Sequence, residues 1–266
     1  MLGSSERLSF FLPAGRQSQL PLLIFLPGLD GTGQLLMKQI PELATIFDVR
    51  CLVIPSTDQS SWKSLVAETV SLIRKEINRA ERSIYLLGES FGGCLALKLT
   101  ARHPELISGL VLSNPASSFG RHWLLRVGSF GISWLPEWFY NSSSVGLLPW
   151  LVAWSRVAPE IRGALLAAMQ SVPAQTAAWR LSLLRDFELP DSLLTQILCP
   201  TLVIAGAIDR LLPSVEEAER LSQSIPQAQS LILPLSGHAC LLEDDVHLLQ
   251  ILRERNFYSS SSLSAV

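Results

Sequence analysis

The sequence predicts an α/β fold in which a mostly parallel sheet carries helices on both faces. Short runs rich in Val, Ile and Leu recur at 20–28, 49–56, 82–90, 109–115, 199–206 and 230–238. They alternate with longer segments of helical periodicity, as buried parallel strands joined by crossover helices require. The length of 266 residues, 48% of them hydrophobic, is enough for one domain with a sizeable core or for one domain carrying an insertion.

Taken in order, the first two runs, LPLLIFLPG and VRCLVIPS, read as buried strands. Residues 62–80 place Leu65, Thr69, Leu72, Ile73 and Ile77 on one side at helical spacing, which predicts a crossover helix. The strand SIYLL then leads into GESFGG and a helical segment, CLALKLTARHP. After Pro115 the strand rhythm stops and resumes only at Thr201. That interval holds six of the seven tryptophans (123, 134, 138, 150, 154, 179) and is punctuated by Pro136, Pro149, Pro159 and Pro173. We read residues 119–195 as a helical cap inserted into a core made of 1–118 and 196–256. The last segment, 257–266, is a polar serine run with little to bury and is expected to be a disordered tail.

Composition removes several function classes. A net charge of −2 and a pI near 6.1 offer no field for phosphate backbones, so nucleic acid is not an expected partner. Cys51, Cys94, Cys199 and Cys240 form no CxxC pair and sit in apolar runs, as reduced core cysteines of a cytoplasmic compartment do. The N-terminus lacks the features of an export signal, and Arg126, Glu137 and Asn141 interrupt the greasiest stretch before it could span a bilayer. No His, Cys and carboxylate cluster has metal-ligand spacing, and the glycine-rich loop 28–33 lacks the spacing of a nucleotide cradle; no cofactor is expected.

The chemistry concentrates at Gly88-Glu89-Ser90-Phe91-Gly92. A Gly-x-Ser-x-Gly between a strand and a helix is the nucleophile elbow of the α/β-hydrolase fold: a sharp turn presents the serine at the helix N-terminus, and glycines two residues to either side avoid clashes. Context carries the reading, because the bare pattern also arises in ordinary turns. Aspartate at the elbow would indicate dehalogenase or epoxide hydrolase chemistry; serine stands there instead. A serine hydroxyl needs a base to take its proton and a carboxylate to orient that base, in the chain order acid then histidine.

Of the four histidines, His238 follows the last strand run, whereas His103 ends a helix, His122 begins the cap and His247 falls within the last helix. His238 is the expected base. Asp209 stands just beyond CPTLVIAG, at the sheet edge where Ser90 emerges, and is the expected acid. The oxyanion of acyl transfer needs two backbone N–H donors. Phe91, following the nucleophile, is one; the loop PGLDGTG (27–33) supplies the other, assigned to Leu29 with Asp30 as the alternative.

The segments FLPGLDGTG, YLLGESFGGCLAL, LVLSNPASSFGR and SGHACLLEDDVHLLQIL together resemble the hydrolase-type half of the phytyl ester synthase family of plastids and cyanobacteria. The similarity runs from about Leu23 to Leu252 and is weakest in the cap. It implies the α/β-hydrolase fold with a helical cap inserted after the sixth strand, and acyl chemistry on lipids: esterase, lipase or thioesterase activity, and in full-length members transfer of acyl groups to phytol or diacylglycerol. Ser90, Asp209 and His238 match the family's triad positions. Full-length members also carry an acyltransferase domain with an HxxxxD motif. Five residues after each histidine this chain has Ser108, Val127, Glu243 and Leu252, so the motif is absent and a stand-alone hydrolase is expected.

The expected substrate is a small hydrophobic acyl ester or thioester held against Trp123, Trp134 and Trp138 of the cap, although such tryptophans also serve simply to pack a cap on its core. A segment such as VGLLPWLVAW (145–154) is a candidate for peripheral membrane contact, with the thylakoid implied for a cyanobacterial chain. Acyl transfer to phytol and non-catalytic lipid binding are the alternative functions, and oligomeric state is not legible.

Overall fold

Residues 7–78, 82–122, 146 and 149–258 are described by a computed structural model of the chain. Its strands are β1 (Ser9–Phe11), β2 (Leu22–Leu26), β3 (Asp48–Val53), β4 (Ile84–Glu89), β5 (Gly109–Ser113), β6 (Thr201–Gly206) and β7 (Ala228–Leu233). The helices are α1 (Ile40–Leu43), α2 (Trp62–Ile77), α3 (Phe91–Arg102), α4 (Pro159–Gln170), α5 (Ala174–Arg185), α6 (Asp191–Leu194), α7 (Ser214–Ser224) and α8 (Leu248–Glu254), with several 3-10 turns between them.

All seven strands lie in one sheet, in the order β1-β3-β2-β4-β5-β6-β7. Only β1 is antiparallel, with Ser9 opposite Val53; the other pairings are parallel. The apolar runs place β2 to β6 as buried strands as expected, whereas β7, at the other edge of the sheet, is only partly buried. The three-residue β1 escaped the reading because SFF is too short to show a period.

Alternation along each strand sends side chains to both faces. Leu22, Ile24, Leu26, Ile84, Leu86, Leu110, Leu112, Val203 and Ala205 join one core with α2, α3 and α7. Leu23, Phe25, Tyr85, Leu87, Val111, Leu202 and Ile204 join the other with α1 and α8. The crossover helix is shorter than 62–80: it runs from Trp62 to Ile77, with the Ser61 hydroxyl accepting the Ser64 N–H at 3.3 Å as its N-cap. Leu65, Thr69 and Ile73 are buried as expected, together with Val66 and Val70, while Leu72 and Ile77 sit at the margin of that face.

Three expectations need correction. Among the described residues the insertion follows the fifth strand, not the sixth, because the sheet opens on a single antiparallel edge strand. The insertion's ends also pack as core: Phe119, Leu184, Phe187, Leu189 and Leu194 all belong to the main cluster. The tail does not begin at 257, since Phe257 is buried against Tyr85, ring centroids 6.2 Å apart, and Tyr258 packs on Phe47. The rest of the tail, 259–266, lies outside the described residues.

Helix α4 covers the sheet's carboxyl edge. Leu165 and Ala168 pack with Val152, Val157, Leu35, Ala239 and Leu242, joining the insertion to the loops after β2 and β7. All four cysteines are free and buried. Burial pushes the Cys51 and Cys240 thiols up to about 12, so they are protonated and unreactive. No described helix is long and apolar enough to cross a membrane.

Candidate active site

Ser90 occupies the junction between β4 and α3 at φ 51°, ψ −111°, a conformation costly for any residue with a side chain. The surroundings hold it there. Its N–H donates to the Ser113 carbonyl at 3.0 Å, and its own carbonyl accepts from Gly93 at 3.0 Å and Ala116 at 3.1 Å. Close approach explains the flanking glycines: a Cβ at Gly88 would stand 2.6 Å from the Gly92 carbonyl oxygen, and one at Gly92 only 1.9 Å from that of Leu26. The Ser90 side chain makes no cap to α3. Its Oγ instead lies 2.9 Å from Nε2 of His238.

His238, 4% exposed, comes from the loop after β7. Its Nδ1 is 2.7 Å from Oδ2 of Asp209, which follows β6. With Nδ1–H donating to that carboxylate, Nε2 is left to accept from the serine hydroxyl. Asp209 is itself fixed: Oδ2 also accepts from the Ser214 hydroxyl at 2.5 Å, and Oδ1 from the N–H groups of Leu211 at 2.8 Å and Leu212 at 3.0 Å. Residues 90, 209 and 238, distant in sequence, meet because β4, β6 and β7 run parallel and end at one edge.

The loop after β2 borders this group, since a Cβ at Gly28 would lie 3.9 Å from Cβ of Ser90. The Gly31 N–H donates to the Gly28 carbonyl at 3.1 Å, closing a turn around Leu29 and Asp30. Among the described residues no acceptor takes the N–H of Leu29 or of Phe91. Phe91 opens α3, where the first N–H groups have no partner within the helix.

The α/β-hydrolase fold family matches residues 21–245, most of the chain. The chain belongs to that family. Phytyl ester synthase 1, chloroplastic, of Arabidopsis thaliana is 32% identical over 265 residues, covering 91% of this chain and 38% of the synthase. The chain therefore spans about two fifths of that relative's length. A protein of Stutzerimonas stutzeri named for carbamate hydrolysis, RutD, is 28% identical over 87% of this chain and 90% of its own. Among solved structures, MenH from S. aureus superposes with a TM-score of 0.73 at 20% identity, over 95% of this chain and 100% of that one, a likeness of fold.

Within this α/β-hydrolase the charges around Ser90 are coupled. Burial acts to lower the affinity of His238 for its proton, but the charge and hydrogen bond of Asp209, with Glu89 behind, outweigh it and the pKa rises. Burial acts to raise the Asp209 pKa, and the charge of His238 with the bonds from His238, Ser214 and Leu212 brings it below the ordinary value. Glu89 is buried beside Ser90, and burial pushes its carboxyl up to about 7.

Several residues that hold the hydrolase site were not singled out from sequence. Asn114, at the end of β5, reaches both the end of β6, which leads to Asp209, and the loop that carries His238. Buried Glu243 accepts the Gly237 N–H at 2.7 Å through Oε1 and Arg156 Nε at 2.8 Å through Oε2, tying the His238 loop to the insertion. Both lie in the segments that carry the family resemblance, SNPASSFGR and SGHACLLED, which was the available signal.

The other histidines stand apart: His103 ends α3, His122 follows a 3-10 turn, and His247 sits at the N-terminus of α8 rather than within it, 3.0 Å from Glu42. The expected substrate-binding Trp123, Trp134 and Trp138 lie outside the described residues. Trp150 and Trp154 are exposed, the latter with the Arg162 guanidinium 4.4 Å over its ring. Among the described residues no group of His, Cys, Asp and Glu could hold a metal ion.

Proposed function

We propose that this protein is a serine hydrolase that cleaves carboxylic esters or thioesters of a hydrophobic, lipid-like substrate through an acyl-Ser90 intermediate. The observation that carries the reading is the continuous chain from Ser90 Oγ through His238 to Asp209, with contacts of 2.9 and 2.7 Å. His238 Nε2 takes the Ser90 proton as Oγ bonds to the acyl carbon. The oxyanion is received by the N–H groups of Phe91 and Leu29. The intermediate collapses as the bond to the alcohol or thiol breaks, with the proton passing from His238 to the leaving atom. Water, deprotonated by His238, then attacks the acyl-serine and releases the acid. Asp209 keeps Nδ1 protonated and steadies the imidazolium.

The lipid character rests on similarity to a phytyl ester synthase and on the richness in tryptophan of the segment inserted between β5 and β6. Transfer to an alcohol uses the same acyl-enzyme and differs only in the acceptor, so phytyl ester formation is the second reading, favoured by the same relative.

The test incubates purified protein with a long-chain acyl ester or thioester, with and without phytol, beside Ser90→Ala, and analyses products by mass spectrometry. Ser90-dependent free fatty acid alone is the expected result. Ser90-dependent phytyl ester would shift the conclusion to transfer; turnover by Ser90→Ala would overturn the mechanism, and formation of neither product would overturn the proposed substrate class and reopen non-catalytic lipid binding.

A further inference from the structure

Helix α5 of the insertion reaches the oxyanion loop through the side chain of Arg180. Arg180 is only 2% exposed, unusual for arginine. Its Nη1 donates to the Leu29 carbonyl at 2.7 Å and its Nη2 to the Pro55 carbonyl at 2.7 Å, so one planar guanidinium bridges the loops after β2 and β3. The seat is tight: Gly31 has φ +68°, and a Cβ there would stand 2.8 Å from Arg180 Nη1 and 2.9 Å from the Ile54 carbonyl oxygen.

The peptide unit is planar, so holding its oxygen also aims its N–H. The unit carrying the Leu29 N–H is held at its oxygen by Gly31, and the adjoining unit, from the Leu29 carbonyl to the Asp30 N–H, is held by Arg180, so both peptide units that meet at Leu29 Cα are pinned. The second donor is tied to the same helix. The Phe91 ring stacks on Trp62 with centroids 4.6 Å apart, and Trp62 Nε1 donates to the Leu183 carbonyl of α5 at 3.0 Å.

We propose that Arg180 is a positioning residue for the oxyanion hole, making helix α5 part of the catalytic apparatus as well as a cover for the site. The proposal rests on the serine hydrolase reading above. Donors aimed in advance stabilise charge that appears only in the transition state, so loosening them lowers kcat and leaves ground-state binding nearly intact.

Arg180→Ala and Arg180→Lys are compared with wild type and Trp179→Phe on a p-nitrophenyl acyl ester. Trp179→Phe removes a different tie of α5, the 3.1 Å bond from Trp179 Nε1 to the Ser60 carbonyl. Affinity is also measured for an alkyl boronic acid, which forms a tetrahedral adduct with serine, and for a non-reacting ether analogue. Arg180→Ala should lose about 100-fold in kcat, with KM within about threefold. Boronic acid affinity should fall in parallel, ether affinity should hold, and Trp179→Phe should keep its kcat. A folded Arg180→Ala with wild-type kcat overturns the proposal, as do equal losses in Trp179→Phe that follow thermal stability. Should Arg180→Ala fail to fold, Arg180→Lys decides, because an ammonium cannot span both carbonyls in the same way: unchanged kcat refutes the role. Activity retained by Ser90→Ala would instead refute the serine mechanism, and this proposal with it.

Discussion

Asn114 Oδ1 accepts the backbone N–H of Gly206 at 2.8 Å, joining the end of β5 to the end of β6. The same amide donates through Nδ2 to the carbonyls of Gly237 at 3.2 Å and His238 at 2.5 Å. One side chain thus holds both the strand that leads to Asp209 and the loop that carries His238. Its backbone has φ 43°, a region asparagine and aspartate tolerate better than most residues. Asn114→Asp keeps that tolerance but turns an acceptor toward two carbonyls. Urea denaturation should show a loss of about 1–3 kcal/mol, with a fall in kcat; an unchanged midpoint and rate would contradict the stapling role.

Asp209→Asn should lower kcat by about four orders of magnitude, because the amide no longer enforces the tautomer with Nδ1–H. It should also move the acid limb of the pH profile. The His238 pKa is raised against the effect of burial by Asp209, so without that charge the residual activity should persist to lower pH. Rates from pH 4 to 9 check both statements. An acid limb that stays in place would mean that Asp209 is not what holds the His238 proton.

Glu89 predicts a pH dependence of stability. Its carboxyl is raised by burial from 4.5 to about 7, opposed by the charge of His238 and reinforced by Asp30. Between those values the unfolded chain releases a proton that the folded chain keeps, so this group's contribution falls as pH rises through that window and is level above about 7. Glu89→Gln should therefore gain stability relative to wild type from pH 4.5 to 7. Denaturation midpoints for both proteins across that range give the difference directly; a flat difference would sink the prediction.

Gly92→Ala should be severely destabilising, since the new Cβ would meet the Leu26 carbonyl oxygen at 1.9 Å and a strand backbone cannot rotate aside. The expected cost is at or above about 3 kcal/mol, the upper end of ordinary overpacking. Gly163→Ala, in α4 with nothing within 4 Å of the added carbon, should instead stabilise by about 0.5–1 kcal/mol. Parallel thermal melts test the contrast.

The alternation of apolar runs with helical periods and the glycine-flanked serine after SIYLL are local signals, written in consecutive residues. They made the parallel sheet legible and singled out Ser90, and chain order then pointed to Asp209 and His238, which the structure brings within hydrogen-bonding distance. Edge strand β1 and buried Phe257 were not legible. Three residues carry no period, and an aromatic next to a serine run reads as tail until Tyr85 covers it.

What the sequence by itself determined is the architecture and the place of a glycine-flanked serine at a strand-to-helix turn, because backbone conformation, burial period and turn chemistry act over a few neighbouring residues. Tertiary structure alone decided how that site is held. The bonds from Arg180 to Leu29 and from Asn114 to Gly206 join different elements, the first across 151 residues, while the bond from Glu243 to Gly237 closes the His238 loop on itself. An arginine, an asparagine and a glutamate have no local pattern that marks them as partners of a backbone. Their roles exist only where folding removes water from those N–H and C=O groups and leaves a side chain to replace it.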